Sequence, residues 1–239
     1  MKVILLAAGR GRRFGRRTQR LPKCLIPIGR GENLLSRYLD IFRKLDLRDI
    51  VVVVGHEKEK IVRQCVQKSR GLSIKFLINP DYRKGSIVSL FTAAGEFTED
   101  CLVMDADVFF SASALRPLLK ARRTSFLLDP RSRSTGEEMM AMGKGPRLVR
   151  VSKTVDLRLN IVGEAVGFLK LKVTDAKYLA KILEKMIRSG KTSLEYEASY
   201  NELMKKRRFG FKRITGFWTE MDFEEDLNVI LRRRSRRRI

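Results

Sequence analysis

Histidine is almost missing from this sequence: His56 is the one copy among 239 residues. A zinc site built on imidazoles and a serine-type triad are excluded on that ground. Cysteine is scarce too. Cys24, Cys65 and Cys101 lie far apart, with neither metal-ligand nor disulfide-framework spacing, so a reduced cytoplasmic chain with buried thiols is expected. No apolar stretch approaches the roughly 20 residues that span a bilayer, and the N-terminus has no long apolar segment of the secretory kind. Acids are outnumbered, 27 Asp and Glu against 51 Lys and Arg, which leaves a net charge of +24. Such a surface attracts phosphates of any sort: nucleotides, nucleic acid or anionic headgroups. Hydrophobic residues make up 44%, which excludes a disordered chain, and the length suits one domain.

What is there begins at the second residue. Lys2 to Ala8 form a short apolar run that breaks into Gly9-Arg10-Gly11-Arg12-Arg13-Phe14-Gly15. A run of this length cut by glycines reads as a buried strand feeding a turn. The paired glycines let backbone approach a ligand, and the arginines around them suit a polyphosphate. Two familiar loops are excluded by spelling. A dinucleotide turn needs glycine at position 14 and an acid at the tip of the second strand, where the chain has Phe14 and Val54-Gly55-His56. A nucleoside-triphosphatase loop needs Gly-Lys-Ser/Thr, which does not follow.

Strand and helix then alternate. Asn33 caps a helix through Leu34, Leu35, Tyr38, Leu39, Phe42 and Leu45. Asp49 to Val54 is a valine-rich strand, Glu57 to Ser69 a helix, Ser73 to Ile78 a third strand, and Gly85-Ser86 opens another helix. This order implies a parallel sheet with crossovers. Asn79, Tyr82 and Ser86 fall near strand tips, where base or ribose could be read, with turn chemistry and helix capping as the alternative. Cys101 to Met104 is a fourth strand that runs into Asp105-Ala106-Asp107. Carboxylates two apart off a buried strand point the same way, and a hard divalent ion such as Mg2+ is their natural partner, held by Asp107 with Asp105 in support; one capping and one structural aspartate are the alternative.

From Thr124 the pattern shifts to short strands at 125–129, 139–142, 148–152 and 165–171, with Gly143, Gly145 and Pro146 marking a hairpin turn. The expectation is a small mixed β insert covering the open side of the sheet. Helices follow at 175–187 and 194–204, a strand at 209–214, and a last helix from Phe223, where Asp222 is either a cap or a functional acid. The run Arg232–Arg238 holds six arginines. It reads as a frayed basic tail that suits an anionic membrane or a nucleic acid, with a solvated surface bias as the alternative.

Taken together, Leu6-Ala7-Ala8-Gly9-Arg10-Gly11-Arg12-Arg13, Pro22-Lys23, Asp105-Ala106-Asp107 and Glu220-Met221-Asp222 resemble the nucleotidyltransferases that make nucleoside-diphosphate sugars and alcohols. Asn79-Pro80-Asp81-Tyr82, Gly163-Glu164-Ala165, Tyr196-Glu197-Ala198 and Trp218-Thr219 are similar to the bacterial phosphocholine cytidylyltransferase branch. Arg12 stands where many relatives have Ser or Thr, and Gly85 where this branch often has Asn. The resemblance implies an α/β, Rossmann-like, mostly parallel mixed sheet with helices on both faces. It implies one domain over 1–231, with a nucleotide-binding half to about 123, an acceptor-binding half after it, and a basic tail at 232–239. It implies that CTP and a phosphorylated alcohol give a CDP-alcohol and pyrophosphate. Carried over by position, Arg13, Lys23, Asp107 and Asp222 are catalytic, and Asp107 and Asp222 hold Mg2+. The nucleotide falls to Leu6, Ala7, Ala8, Gly9, Gly11, Arg13, Lys23, Asn79, Tyr82, Ser86 and Asp105. The acceptor falls to Glu164, Tyr196, Glu197 and Trp218. A sugar- or inositol-phosphate nucleotidyltransferase keeps the same loop and metal residues. A basic nucleic-acid-binding protein explains the charge but leaves the aspartates without a role.

Overall fold

In a computed structural model, which describes residues 1–145 and 147–236, the alternation holds from the start. Strand β1 (Lys2–Ala7) leads through the glycine loop to α1 (Leu34–Lys44), β2 (Asp49–Val54), α2 (Lys58–Gln67), β3 (Ser73–Ile78), α3 (Ser86–Thr92) and β4 (Cys101–Asp105). Then come β5 (Val108–Phe109), α4 (Ala112–Leu119), β6 (Ser125–Asp129), β7 (Met140–Lys144), β8 (Arg147–Ser152) and β9 (Asn160–Leu171). The chain closes with α5 (Val173–Arg188), α6 (Glu197–Met204), β10 (Gly210–Arg213), β11 (Thr219–Glu220) and α7 (Glu224–Arg236). Asn33 caps α1 as its sequence position suggests: its Oδ1 accepts from the Ser36 N–H at 2.8 Å, and its own N–H donates to Ser36 Oγ at 3.1 Å.

Nine strands share one sheet, in the order β10-β6-β9-β4-β1-β2-β3, with β7 paired to β9 and β8 to β7. The β1, β2, β3 and β4 pairings are parallel, and β9 runs antiparallel to both β4 and β6. Side-chain alternation feeds two cores. Val3, Leu5, Ile50 and Val52 face α1, α2, α4 and α7; Ile4, Val51 and Val53 face α3, α5 and α6.

The strands after position 124 do not cover a face of the sheet. β6, β9 and β10 extend its edge, and only the β7–β8 hairpin branches off. β9 is also longer than the strand expected at 165–171, because Asn160 to Gly163 continue it to pair with β7. Helix α6 starts at Glu197 rather than 194. The residues before it are drawn onto the N-terminus of α3, where the Gly85 N–H donates to Thr192 O at 2.8 Å and the Ile87 N–H to Leu194 O at 3.2 Å. The arginine run is not frayed over its described part. It continues α7, with Arg234 on Glu32 at 2.8 Å and Arg233 over the Phe217 ring at 4.3 Å. Pro146, Arg237 and Arg238 lie outside the described residues. Among those described, no helix is long and apolar enough to cross a membrane.

Candidate active site

The loop after β1 is pinned from two sides. Gly11 sits at φ 59°, ψ 43°, a left-handed conformation that a side chain would strain, and an added Cβ would meet Thr18 and Lys23 at 3.2 Å. The Thr18 hydroxyl donates to Gly11 O at 2.8 Å, and the ring Nε2 of buried His56 lies 2.7 Å from Thr18 O. The His56 N–H donates to Ala8 O at 3.1 Å. The lone histidine therefore ties the tip of β2 to the loop, and its ring lies 6.0 Å from that of Tyr82.

Beside this loop lies a cavity of about 420 Å³ lined by Leu6 to Arg12, Pro22 to Cys24, Tyr82 to Ser86, Ser89, Asp105 to Asp107 and Tyr196. It runs into a second hollow of about 370 Å³, with which it shares Gly11, Arg12, Ser86, Asp105, Asp107 and Tyr196. The first hollow is rich in donors and cations. The second is rich in carboxylates, among them Glu137, Glu164, Glu195, Glu197, Glu220 and Asp222.

Where the two meet, the chain's ends come together. The β5–β11 pair joins Val108 to Glu220, and the Met221 N–H donates to Asp107 O at 2.9 Å. Lys23 Nζ sits between Asp107 Oδ2 at 2.7 Å and Asp222 Oδ1 at 2.6 Å. Arg13 donates to Asp222 Oδ2 at 2.9 Å and pairs with Glu137 at 3.0 Å. Burial disfavours the Lys23 cation, but the charges of Asp107 and Asp222 outweigh it and its pKa rises. For Asp222 burial works upward, and Lys23 and then Arg13 overcome it, so its pKa falls. Asp222 is not the cap of α7. The amides of Asp222 and Phe223 donate to Asp226 Oδ2 at 2.9 and 2.8 Å, which leaves the Asp222 carboxylate free for the cations.

Oxygen atoms of Asp107, Glu220 and Asp222 lie within 4.8 Å of one another. Asp107 Oδ1 is buried and has no hydrogen-bond partner among the described residues. Hard oxygens with one of them orphaned fit a magnesium-sized ion. Glu220 is accessible at the cleft mouth but crowded by protein; desolvation first, then Asp107 and Asp222, raise its pKa.

Behind these groups, Asp105 accepts the Tyr196 hydroxyl. Desolvation, followed by the charges of Asp107 and Glu197, pushes the Asp105 pKa well up. Gly167 makes this approach possible: it sits at φ 75°, and a Cβ there would meet Asp105 Oδ2 at 2.6 Å. Tyr38 fixes the turn from below. Its hydroxyl donates to Asp105 O at 2.7 Å and accepts from the Val108 N–H at 3.3 Å. Burial raises the pKa of Glu197 to about 8 and raises that of Glu164.

The structure brings most of the expected residues to the cleft: Leu6, Ala7, Ala8, Gly9, Gly11, Lys23, Tyr82, Ser86 and Asp105 on one side, and Arg13, Asp107, Asp222, Glu164, Tyr196 and Glu197 at or beyond the junction. It does not bring Asn79 or Trp218 there. Asn79 is fully buried, with its amide donating to Ser89 Oγ at 3.0 Å and its Oδ1 accepting from the Asp81 N–H at 2.9 Å. Trp218 packs against the core and donates its indole N–H to Asp129 Oδ2 at 2.7 Å. Asp129, held by Arg131 and this indole, is shifted down. Sequence reasoning gave no role to Glu220, although it sits two residues before Asp222, the spacing that drew attention to Asp105 and Asp107. It also missed Glu137 and Lys153, which lie in stretches without periodicity, and the cleft-lining Arg83 and Lys84.

A model of the MobA-like NTP transferase domain matches residues 3–146. The choline-phosphate cytidylyltransferase of Haemophilus influenzae is 29% identical over 151 residues, 63% of this chain and 62% of that protein. The CMP-5'-(3-aminopropyl)phosphonate synthase of Streptomyces rubellomurinus is 29% identical over 126 residues, 52% of this chain and 20% of that protein. The chain thus spans only part of the length of the curated relatives it matches. Among solved structures, the CTP:phosphocholine cytidylyltransferase from Streptococcus pneumoniae (LicC) superposes with a TM-score of 0.77 at 20% identity, covering 97% of both chains. The inositol-1-phosphate CTP transferase from T. maritima gives 0.81 at 18% identity, covering 100% of this chain and 97% of that one. At these identities the two structures speak for the fold alone.

Proposed function

The chain belongs to the MobA-like NTP transferase family, a family of nucleotidyltransferases, and from that premise we propose that it transfers CMP from CTP to a phosphorylated amino alcohol of the phosphocholine kind, releasing pyrophosphate. The observation that carries the reading is the joined pair of hollows. In a chain of net charge +24, the loop side is cationic while the far side is walled by carboxylates. A triphosphate suits the first, and an acceptor bearing an ammonium suits the second, where Glu164 and Glu197, their pKa values raised by burial, would ionise beside such a cation. Relatives named for choline phosphate and for an aminopropylphosphonate support the same class.

The proposed nucleophile is the acceptor's phosphate oxygen. It attacks the α-phosphorus of CTP, a new P–O bond forms, and the bond to the β-phosphate oxygen breaks with its electrons leaving on pyrophosphate. The second pKa of a phosphate monoester is about 6, so the attacking oxygen is already anionic near neutral pH and needs no base. Repulsion between two anions is then the main barrier, and cations held in fixed positions lower it. In this reading Lys23 would neutralise the reacting phosphate, Arg10 and Arg12 would grip the triphosphate along the loop, and Arg13 would hold Asp222 in register. Tyr82 and Ser86 line the cavity beside the loop and would contact the base. When bound at Asp107 and Asp222, with Glu220 beside them, Mg2+ would supply further positive charge at the phosphates.

Pyrophosphate release tests this. The chain is incubated with each of CTP, UTP, GTP and ATP against phosphocholine, phosphoethanolamine, aminoethylphosphonate, inositol phosphate and glucose 1-phosphate. CTP with an amino-bearing acceptor is expected to exceed every other pair by at least tenfold. Preference for a sugar phosphate would refute the acceptor, and preference for another nucleotide would refute CTP.

A further inference from the structure

At the end of the sheet opposite the cleft lies another concavity, of about 370 Å³. It opens beside the first residues of β6 and β10, where Ser125 pairs with Gly210. The cleft occupies the other end of these strands, where Asp129, the last residue of β6, pairs with Glu164. At about 3.3 Å per residue, the two ends of β6 stand roughly 13 Å apart.

Among the described residues, the rim of this concavity carries Lys120, Arg122, Arg123, Arg208 and Lys212, and no carboxylate. All five are exposed. Among the described residues none of them has an ion-pair partner, whereas neighbouring cations do: Lys205 pairs with Glu202 and Arg207 with Asp175. Two ordinary reasons for cations at this place fall short. Helix α4 ends here, and a helix C-terminus favours positive charge, but buried Lys170 already donates to Leu119 O at 2.6 Å and Ala121 O at 2.8 Å. β10 is an edge strand, where lysine discourages pairing with another chain. That reason reaches Lys212 and stops there, since Lys120, Arg122 and Arg123 belong to the α4–β6 connection.

What remains is a set of like charges held together without counter-charge, the arrangement that a polyanion stabilises most through counterion release. The backbone adds donors. Gly210 and Ile214 give their N–H groups to Thr124 and Leu128, so by alternation the amides of Phe211 and Arg213 face away from the sheet. The lining aromatics are withdrawn, Phe209 buried and Phe211 half-buried, which leaves nothing to insert into a bilayer. We propose that this basic concavity binds the phosphodiester backbone of a nucleic acid, at a site separate from the nucleotidyl-transfer cleft.

Fluorescence anisotropy of a labelled DNA duplex of about 20 base pairs, titrated with the full chain between about 50 and 200 mM salt, tests the proposal. Combined Arg122→Glu, Arg123→Glu and Lys212→Glu should weaken binding at least tenfold at the lower salt. It should also flatten the plot of log affinity against log salt by about 0.9 for each phosphate that is no longer neutralised, with the melting temperature unchanged. Should that triple variant misfold, Arg122→Ser with Lys212→Ser gives the same readout in smaller measure. Arg232→Glu with Arg233→Glu, which reverses two charges on α7 against three in the triple variant, should move the affinity less than threefold. Three results would overturn the proposal: no duplex binding by the unaltered chain, an equal loss from the α7 variant, or vesicles of phosphatidylserine losing affinity for the triple variant while the duplex does not.

Discussion

Replacing Lys23 by methionine separates the cation's structural part from the metal's. The change keeps most of the volume and removes the ammonium that lies 2.7 Å from Asp107 and 2.6 Å from Asp222. Oxygens of Asp107, Glu220 and Asp222 would then face one another within 4.8 Å with no charge between them. Removing one partner of a buried ion pair destabilises by about 3–5 kcal/mol. Two features reduce that here. Asp107 and Asp222 retain 24% and 21% side-chain exposure, and Arg13 still holds Asp222, so about 2–3 kcal/mol is expected. For a chain of this size that lowers the melting temperature by roughly 5–10 °C. Mg2+ can take the vacated position, and at a hundredfold excess over its dissociation constant a bound ion contributes about 2.7 kcal/mol. Thermal unfolding in chelator and in excess Mg2+ should therefore show the Lys23→Met variant recovering most of its deficit. The unaltered chain, where Lys23 competes for the same oxygens, should be stabilised less. Equal stabilisation of both, or a variant as stable as its parent in chelator, would refute the reasoning.

Two further outcomes follow from the same geometry. Glu197 is held protonated in the folded chain up to about pH 8 against an unfolded value of 4.5. Its raised pKa makes the folded state bind the extra proton, so stability falls as pH climbs from about 4.5 through 8; Glu197→Gln should melt higher than the unaltered chain above pH 8, and the difference should vanish near pH 4.5. Trp218→Phe removes a donor from buried Asp129 and should lower stability by about 1–3 kcal/mol in denaturant titration while leaving the acceptor KM within twofold, and a tenfold rise in that KM would place the indole in the acceptor site after all.

The first half of the fold was legible because its signals are local. The valine run at 51–54, the cap at Asn33 and the glycine break after Ala8 each specify their element without help from distant chain. The second half was less so. β9 runs on to Asn160 because β7 lies there to pair with it, and α6 loses its first turn because residues 192–196 serve α3 instead. Pairings of that kind depend on topology and leave no periodicity. The site divided in the same way. Lys23, Asp107 and Asp222 stood out by residue type and by family likeness. Asn79 and Trp218 were misplaced because each has a polar handle that suits a ligand and a buried partner equally well. Glu220 was passed over because its strand, β11, is two residues long and shows no alternation to read. The arginine run suggested fraying by composition, yet Leu227 and Ile230 on the apolar side of α7 are buried in the core.

Groups from the first and last parts of the chain are proposed to meet at one phosphorus. The most direct test is the single-turnover rate of CTP, labelled at the α-phosphate, with an amino-alcohol phosphate and saturating Mg2+, in Asp107→Asn, Asp222→Asn and the double variant. Each single change should slow transfer at least about a hundredfold, and the double variant should be little slower than either, as for residues that act as a unit. Near-normal transfer by Asp107→Asn, or losses that simply multiply, would contradict it.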